Sequence, residues 1–335
     1  MTIGAELLLY LVVILVAAEV FTNALEHFGE RLGISEGVTG SLFAAVGTAM
    51  PESIVPLVAV FAGTANTQVN ADIGVGAILG APLMLSTLSI CLMSAAVLGS
   101  RGLTGHLRPE RGGLERDIRF FLIAFGISLV GLFIPPDATV VRVLTAAALV
   151  TTYFVYVLLT LKVSAQLVED GHGTEAHGMM LLCRLGLPNH SAVIVLQMSL
   201  GLLLLVLGAK GFVHSIEHAS QLLGISPLLL ALLIVPIATE LPETVNSILW
   251  IRRGKDTLAF GNITGAMVFQ GSLLPAIGLL VTPWAPSVEV LIGVIVAYLA
   301  GFWLYLLARR GGLRVWHLGV NGALYVAYVT AMLTR

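Results

Sequence analysis

Three glutamates stand in stretches of the sequence that are otherwise apolar, and each lies close to a proline. Glu52 follows Pro51, while Glu240 and Glu243 flank Pro242. The i, i+3 spacing of the second pair places both carboxylates on one face of a helix. Because an isolated buried carboxylate is costly, the three groups are either structural carboxylates that are paired or protonated, or ligands of a cation. We favour the cation site.

The two prolines supply further oxygen ligands. Proline has no N–H group, so Pro51 and Pro242 leave the carbonyls of Gly47 and Ala238 without their helical donors. Within a membrane, such carbonyls are tolerated where they line a cavity or bind an ion.

Hydroxyl groups complete this set of oxygen atoms. Thr48 and Thr239 directly follow Gly47 and Ala238. Carboxylates, carbonyls and hydroxyls suit a hard cation such as Ca²⁺, and no cysteine or histidine stands nearby in sequence to bind a softer metal. The residue types therefore predict an all-oxygen cation site built from two distant segments.

Two amide side chains follow the second proline segment. Asn262, Ala266 and Gln270 are spaced to lie on one stripe of a helix. The two amides are equally well explained as ligands near the cation and as hydrogen-bonding groups between helices.

The elements that carry these residues are long and apolar. The chain has 335 residues, of which 57% are hydrophobic and only 11% are charged, whereas a soluble domain has about 25% charged residues. A helix needs about 20 apolar residues to cross a bilayer, so the fold class is an all-α integral membrane protein. Ten spans are predicted, at residues 4–26, 37–62, 71–99, 118–135, 138–166, 191–217, 227–251, 257–282, 286–308 and 313–334.

Basic residues are distributed unevenly between the loops. Of the 17 lysines and arginines, all but Arg142, Lys210 and Arg335 lie in or beside the loops that follow odd-numbered spans. The positive-inside rule therefore places these loops in the cytoplasm and both termini outside.

The sequence also contains an internal repeat. Three segments of the first half recur at an offset of 191 residues, and a fourth recurs at an offset of 185. The matched segments are 25–27 with 216–218, 32–35 with 223–226, 50–52 with 241–243, and 76–81 with 261–266. Because the offset contains five helices, an odd number, the second copy must be inverted relative to the first.

The predicted organisation is therefore ten transmembrane helices in two inverted five-helix repeats. The first repeat covers residues 1–168, a cytoplasmic linker covers 169–190, and the second repeat covers 191–335. Glycines in the third and eighth spans are expected to allow close helix packing. They are Gly74, Gly76, Gly80, Gly261 and Gly265.

Several function classes are excluded or disfavoured. The formal net charge of −2 provides no basic surface for nucleic acid. Cys91 and Cys183 match no metal-ligand spacing, and no nucleotide, haem or zinc-protease motif is present. We therefore expect no enzymatic activity and no cofactor. The expected partners are inorganic cations and the lipid bilayer, while the oligomeric state is left open and a monomer is compatible with the sequence.

The two proline-glutamate segments resemble the alpha repeats of the sodium/calcium exchanger (cation/calcium antiporter) superfamily. The typical motif reads Gly-Thr-Ser-Leu-Pro-Glu, followed on the next helix by Gly-Asn-x-x-Gly-Ser. Residues 47–52 and 76–81 match it in the first half, within a region of about 43–86. Residues 238–243 and 261–266 match it in the second half, within a region of about 233–272.

The resemblance implies a fold and a role for two residues. It implies ten helices in two inverted halves, whose first and sixth helices slide to alternate access to the site. Glu52 and Glu243 would be the central carboxylates that bind Ca²⁺ and share in binding the counter-ion.

Departures from the motif concern the counter-ion. Four motif serines that help form sodium sites in such exchangers are replaced, and two amide or acidic positions also differ. The serine positions hold Ala49, Glu240, Ala81 and Ala266, and the amide or acidic positions hold Leu85 and Gln270. A third carboxylate changes the charge of the site, so proton coupling is expected as readily as sodium coupling.

The expected function is secondary active cation antiport in the cell membrane, with Ca²⁺ exchanged for Na⁺ or H⁺ by alternating access. A proton-coupled or non-calcium cation exchanger is the first alternative. A cation channel or membrane sensor is the second, and it would require a continuous polar stripe through the bilayer rather than acids at one depth.

Overall fold

The computed structural model describes residues 3–31, 49–169 and 179–334, and these residues form helices joined by short loops. The helices are α1 (Ile3–Arg31), α2 (Met50–Ala62), α3 (Thr67–Met84), α4 (Ile90–Arg101), α5 (Arg111–Gly131), α6 (Thr139–Glu169), α7 (Leu181–Arg184), α8 (Ser191–Leu223), α9 (Pro227–Thr239), α10 (Leu241–Arg252), α11 (Asp256–Val281), α12 (Val288–Arg310) and α13 (Val315–Leu333). A π-helical turn, Leu85–Ser89, joins α3 to α4.

Six stretches within the described residues are long and apolar enough to cross a membrane: α1, α3 with α4, α6, α8, α11 and α12. The pair α9 and α10, bent by 51°, makes a seventh if it is counted as one span. Helices α2, α5 and α13 coincide with the remaining expected spans but do not meet the same test of length and apolarity. The all-helical membrane class is confirmed, and the count of ten stays a prediction.

Parts of two predicted regions lie outside the described residues. Residues 37–48 of the second expected span are among them, and this part includes Gly47 and Thr48. Residues 170–178 of the expected linker are also outside, while the short helix α7 belongs to the described part of that linker.

Helices α1 and α8, which the repeat treats as equivalents, pack side by side in opposite directions. Gly201 lies against the backbone of Phe21, where an added Cβ would stand 2.9 Å from the amide nitrogen. Ten residues further along α8, Gly211 lies against Tyr10. The contact partner moves backwards along α1 as α8 advances, so the two helices are antiparallel.

Helices α5 and α12 form a second antiparallel pair of repeat equivalents. Gly301 of α12 lies against Phe121, and Tyr298 lies against Gly126. A rotation that carries either helix onto its equivalent must reverse its direction, so the rotation axis is perpendicular to both helices.

Glycine also permits the close approach of α3 to α9. A Cβ at Gly76 would lie 2.7 Å from the carbonyl oxygen of Leu228, and one at Gly80 would overlap the carbonyl oxygen of Leu232. The expectation of close packing is met there, and Gly74 is similarly close to Val60. The expectation of close packing is wrong for Gly261, where an added Cβ would meet no atom within 4 Å.

Arginines hold both ends of α11. At its start, Arg101 forms a bidentate ion pair with Asp256, with N–O distances of 2.7 and 2.8 Å. At its end, the buried Arg142 donates hydrogen bonds to the carbonyls of Leu279 and Thr282. Because α11 carries Gln270, both contacts position the central site.

Apolar side chains cover much of the outer surface. On α1, for example, Leu8, Val12 and Val16 are exposed, while Ile14 and Ala17 are fully buried against the rest of the protein. Exposed apolar side chains all along a helix are expected where the surroundings are lipid rather than water.

Candidate cation site

A break between α9 and α10 builds one half of the site. Helix α9 ends at Thr239, and the amide of Glu240 donates to the carbonyl of Pro236 at 2.8 Å. Pro242, in the first turn of α10, has no N–H to donate to the buried carbonyl of Ala238. The break places Glu240 and the start of α10 at the inner face of the helix bundle.

The other half of the site comes from the start of α2. Pro51 and Glu52 occupy its first turn, and both side chains are buried. The carbonyl of Gly47 and the hydroxyl of Thr48, which the sequence places beside them, lie outside the described residues.

The three glutamates converge on one point. One carboxylate oxygen from each of Glu52, Glu240 and Glu243 lies within 4.8 Å of the others. Their exposed fractions are 3%, 0% and 4%, respectively. Residues almost 200 positions apart therefore form one buried acidic cluster.

Among the described residues, hydrogen-bond donors reach both oxygens of one carboxylate, that of Glu240. Thr239 donates from Oγ1 to Oε1 of Glu240 at 3.1 Å, and Gln270 donates from Nε2 to Oε2 at 2.7 Å. Within the part of the chain that the structure describes, both oxygens of Glu52 and Oε2 of Glu243 are buried without a hydrogen-bond partner. These three oxygen atoms, which burial leaves unsatisfied, are free to bind a cation.

The two predicted amides have different surroundings. Gln270 contacts the cluster, and its Oε1 is buried with no partner in the described ranges. Asn262 is half-buried and donates from Nδ2 to the carbonyl of Glu243 and to Oγ of Ser247, both at 3.0 Å. Gln270 therefore offers an oxygen at the site, whereas the Asn262 amide group bonds α11 to α10.

No basic side chain of the described residues forms an ion pair with the three glutamates. Among the described residues, the ion pairs join Arg101 to Asp256 and arginines of α5 to acids of α5, away from the three glutamates. Three ionised carboxylates so close together in a buried site repel one another strongly. The arrangement is stable only when cations or protons neutralise part of this charge.

A pair of buried hydroxyl groups, one of them on the residue after Glu243, was not identified from the sequence. Thr244, which follows Glu243, has its Oγ1 2.7 Å from Oγ of Ser89, and both side chains are buried. Ser89 ends the π-helical turn, a local irregularity that often occurs at functional sites. The position of Thr244 next to Glu243 was the available signal, whereas nothing in the sequence connected Ser89 to it.

Comparison with known proteins assigns the chain to a family. The family model described as sodium/calcium exchanger protein matches residues 4–162 and 193–334. The chain belongs to this family. The resemblance found in the two proline-glutamate segments is thus confirmed over nearly the whole length, and the family is one of transporters rather than enzymes.

A curated relative in this exchanger family has a similar length. The putative antiporter CaxA of Alkalimonas amylolytica is 25% identical over 273 residues, which are 82% of this chain and 79% of the relative. The similarity therefore covers both halves of the chain.

Solved exchanger structures share the fold. The H⁺/Ca²⁺ exchanger CAX matches with a TM-score of 0.71 and 16% identity, covering 99% of this chain and 82% of that one. The sodium-calcium exchanger NCX_Mj, soaked with Na⁺ and Ca²⁺, matches with a TM-score of 0.57 and 18% identity, covering 99% of both chains. At these identities the likeness establishes the fold, and with the family match it identifies an integral membrane protein of the exchanger family.

Proposed function

We propose that this protein is a secondary active antiporter that moves Ca²⁺ across the cell membrane in exchange for Na⁺ or H⁺. The observation that carries the proposal is the buried cluster of Glu52, Glu240 and Glu243, in which three carboxylate oxygens have no hydrogen-bond partner among the described residues. The family match and the two structural neighbours, whose names include Ca²⁺, support the same ion.

The proposed ligands are all oxygen atoms. Glu52 and Glu243 contribute carboxylates, Gln270 contributes Oε1, and Glu240 contributes negative charge while held by its two donors. The carbonyl of Ala238 lies in the same break. Ca²⁺ takes about six to eight oxygen ligands, and we propose Gly47 and Thr48 as further ligands from the first half. Thr239 uses its hydroxyl proton to bond Glu240 and keeps an oxygen that can accept or bind.

The counter-ion is Na⁺ or H⁺ in this proposal. The two solved neighbours named above divide between these ions by name. Glu240, where the motif has a serine, adds a carboxylate that a proton can neutralise, while the lost hydroxyls remove oxygen atoms that would suit Na⁺. We therefore expect the carboxylate of Glu240 to favour coupling to H⁺, and a serine at this position to favour coupling to Na⁺.

We further propose that the fold consists of two inverted five-helix repeats, at 1–168 and 191–335, joined by the linker 169–190. The antiparallel packing of α1 with α8 and of α5 with α12 supports it, because each pair consists of repeat equivalents. The axis that relates these pairs would lie in the membrane plane, with the cation site between the halves.

The proposed orientation follows from the distribution of basic residues. Loops after odd-numbered spans would face the cytoplasm, and both termini would lie outside. Addition of membrane-impermeant reagents to single cysteines at the two ends of the chain, in intact cells, tests this orientation.

Flux measurement in proteoliposomes tests the proposed function. Purified protein should take up ⁴⁵Ca²⁺ only when an outward gradient of Na⁺ or H⁺ is imposed, and excess unlabelled Ca²⁺ should compete. Two gradients imposed separately identify the counter-ion. Uptake that proceeds equally without any counter-ion gradient would indicate a channel, and absence of uptake with every gradient would remove Ca²⁺ as the substrate.

A further inference from the structure

Two histidines stand one helical turn apart on α8, away from the acidic cluster. His214 and His218 have an i, i+4 spacing on this uninterrupted helix, and both side chains are exposed. Their ring centroids are 5.5 Å apart. The rings therefore lie side by side on one face of the helix, in the spacing with which two histidines of a helix bind one zinc ion.

The ring separation fits chelation of a single metal ion. Zinc bonds a histidine nitrogen at about 2.0–2.1 Å, which puts the metal about 3.2 Å from the centre of each ring. A tetrahedral angle between two such bonds then separates the centres by about 5.2 Å, close to the observed 5.5 Å. The rings are at 27° to each other, so they must turn about their Cβ–Cγ bonds to aim both nitrogens at one point, and exposure leaves them free to do so.

The pair lies on a face of α8 that the fold leaves open. Gly208, Phe212 and Ser215 of α8 are buried, and Tyr10 of α1 packs against Gly211 at the edge of the exposed face. A metal bound by the two histidines would therefore displace no buried side chain. Because His218 follows the last residue of the expected span 191–217, the pair would lie near the membrane surface, where water molecules could occupy the remaining coordination positions.

The chemistry of the pair differs from that of the acidic cluster. Imidazole nitrogens select borderline metals such as Zn²⁺, Cu²⁺ and Ni²⁺, whereas carboxylate and carbonyl oxygens suit Ca²⁺. Lys210, one turn before His214, is exposed and adds a positive charge on this face, and the half-buried Glu217, next to His218, adds a negative one. The two imidazoles, rather than the charge of this face, therefore favour a borderline metal over Ca²⁺.

We propose that His214 and His218 form a binding site for a divalent transition metal of the Zn²⁺ class, separate from the site for the transported cation. The two imidazoles chelate the ion, and water at the membrane surface supplies the other ligands. The proposal depends on the helix and its two rings and does not depend on the identity of the transported ion.

Metal titration of the full-length purified protein tests the site. Zn²⁺ binding is measured by calorimetry in the presence of Ca²⁺, and Cu²⁺ serves as a spectroscopic probe because its electron paramagnetic resonance spectrum counts bound nitrogens. Native protein should bind one ion with two nitrogen ligands. His214→Ala and His218→Ala should each weaken binding by about 100-fold, because the second ligand no longer acts at high effective concentration.

Two further variants make the result decisive. His190→Ala removes another exposed histidine, at the opposite end of the same helix, and should leave binding unchanged. Glu243→Gln alters the acidic cluster and should also leave it unchanged. Native affinity in His214→Ala and His218→Ala, or loss of binding in Glu243→Gln, would overturn the proposal.

Discussion

Gln270 donates a hydrogen bond of 2.7 Å from its Nε2 to Oε2 of Glu240, and this bond connects α11 to the break between α9 and α10. The amide orientation leaves Oε1 of Gln270 buried beside the acidic cluster, and no described residue donates to it. One side chain thus holds a carboxylate in place and offers an oxygen at the site.

Replacing Gln270 with methionine should weaken Ca²⁺ binding. The change keeps the length of the side chain but removes both the donor to Glu240 and the oxygen. A hydrogen bond to a charged group contributes about 1.5–3 kcal/mol, so the Ca²⁺ dissociation constant should rise about 10- to 100-fold. Calorimetry measures it directly.

A second buried glutamine provides the control. Gln197 bonds Asn23 and the backbone of α1, away from the acidic cluster. Gln197→Met should lower thermal stability and leave Ca²⁺ affinity unchanged. Equal Ca²⁺ affinities in native protein and Gln270→Met would show that Gln270 serves only the packing of α11.

Glu52→Gln and Glu243→Gln should each abolish Ca²⁺ transport while the protein stays folded. Each substitution keeps the size of the side chain and removes a charge that a divalent cation requires in a buried site. Flux into proteoliposomes measures the effect, and gel filtration checks the fold. Glu19→Gln, at an exposed glutamate of α1 outside the cluster, should transport normally. Native uptake by either cluster variant would mean that these acids are structural.

Ca²⁺ affinity should fall as the pH drops toward mildly acidic values. Protons and Ca²⁺ compete for the same carboxylates, and neighbouring Glu52 and Glu243 oppose full ionisation of Glu240 when no cation is bound. Glu240→Ser should weaken this dependence and strengthen the response to Na⁺, because it removes one charge and restores a hydroxyl. Binding isotherms across pH for both proteins measure the effect, and superimposable pH profiles would exclude Glu240 from the coupling.

Arg142→Met should lower the free energy of unfolding by roughly 3 kcal/mol, because it removes charged hydrogen bonds to buried carbonyls at the end of α11. The melting temperature in detergent measures the change. Arg310→Met, at an exposed arginine, serves as the control and should have little effect. A native melting temperature in Arg142→Met would show that water replaces the arginine at these carbonyls.

The sequence alone was sufficient for the class of fold and for the membership of the cluster. Apolar stretches of about 20 residues have few alternatives to membrane helices, because the bilayer leaves backbone groups to be satisfied within the helix. A carboxylate inside such a stretch costs free energy because it is removed from water. This cost singled out Glu52, Glu240 and Glu243, each close to a proline, before any contact was known. The shared offset of 191 residues likewise indicated that the two proline segments belong together.

The tertiary structure decided which polar groups meet. Asn262 and Gln270 lie on one predicted stripe, yet only Gln270 reaches the cluster, while Asn262 bonds the backbone and Ser247 of α10. Ser89 meets Thr244 across 155 positions of sequence. Helix periodicity specifies the face on which a residue lies but not the neighbour opposite that face, because the 51° break after α9 and the π-helical turn before α4 set the distances between helices.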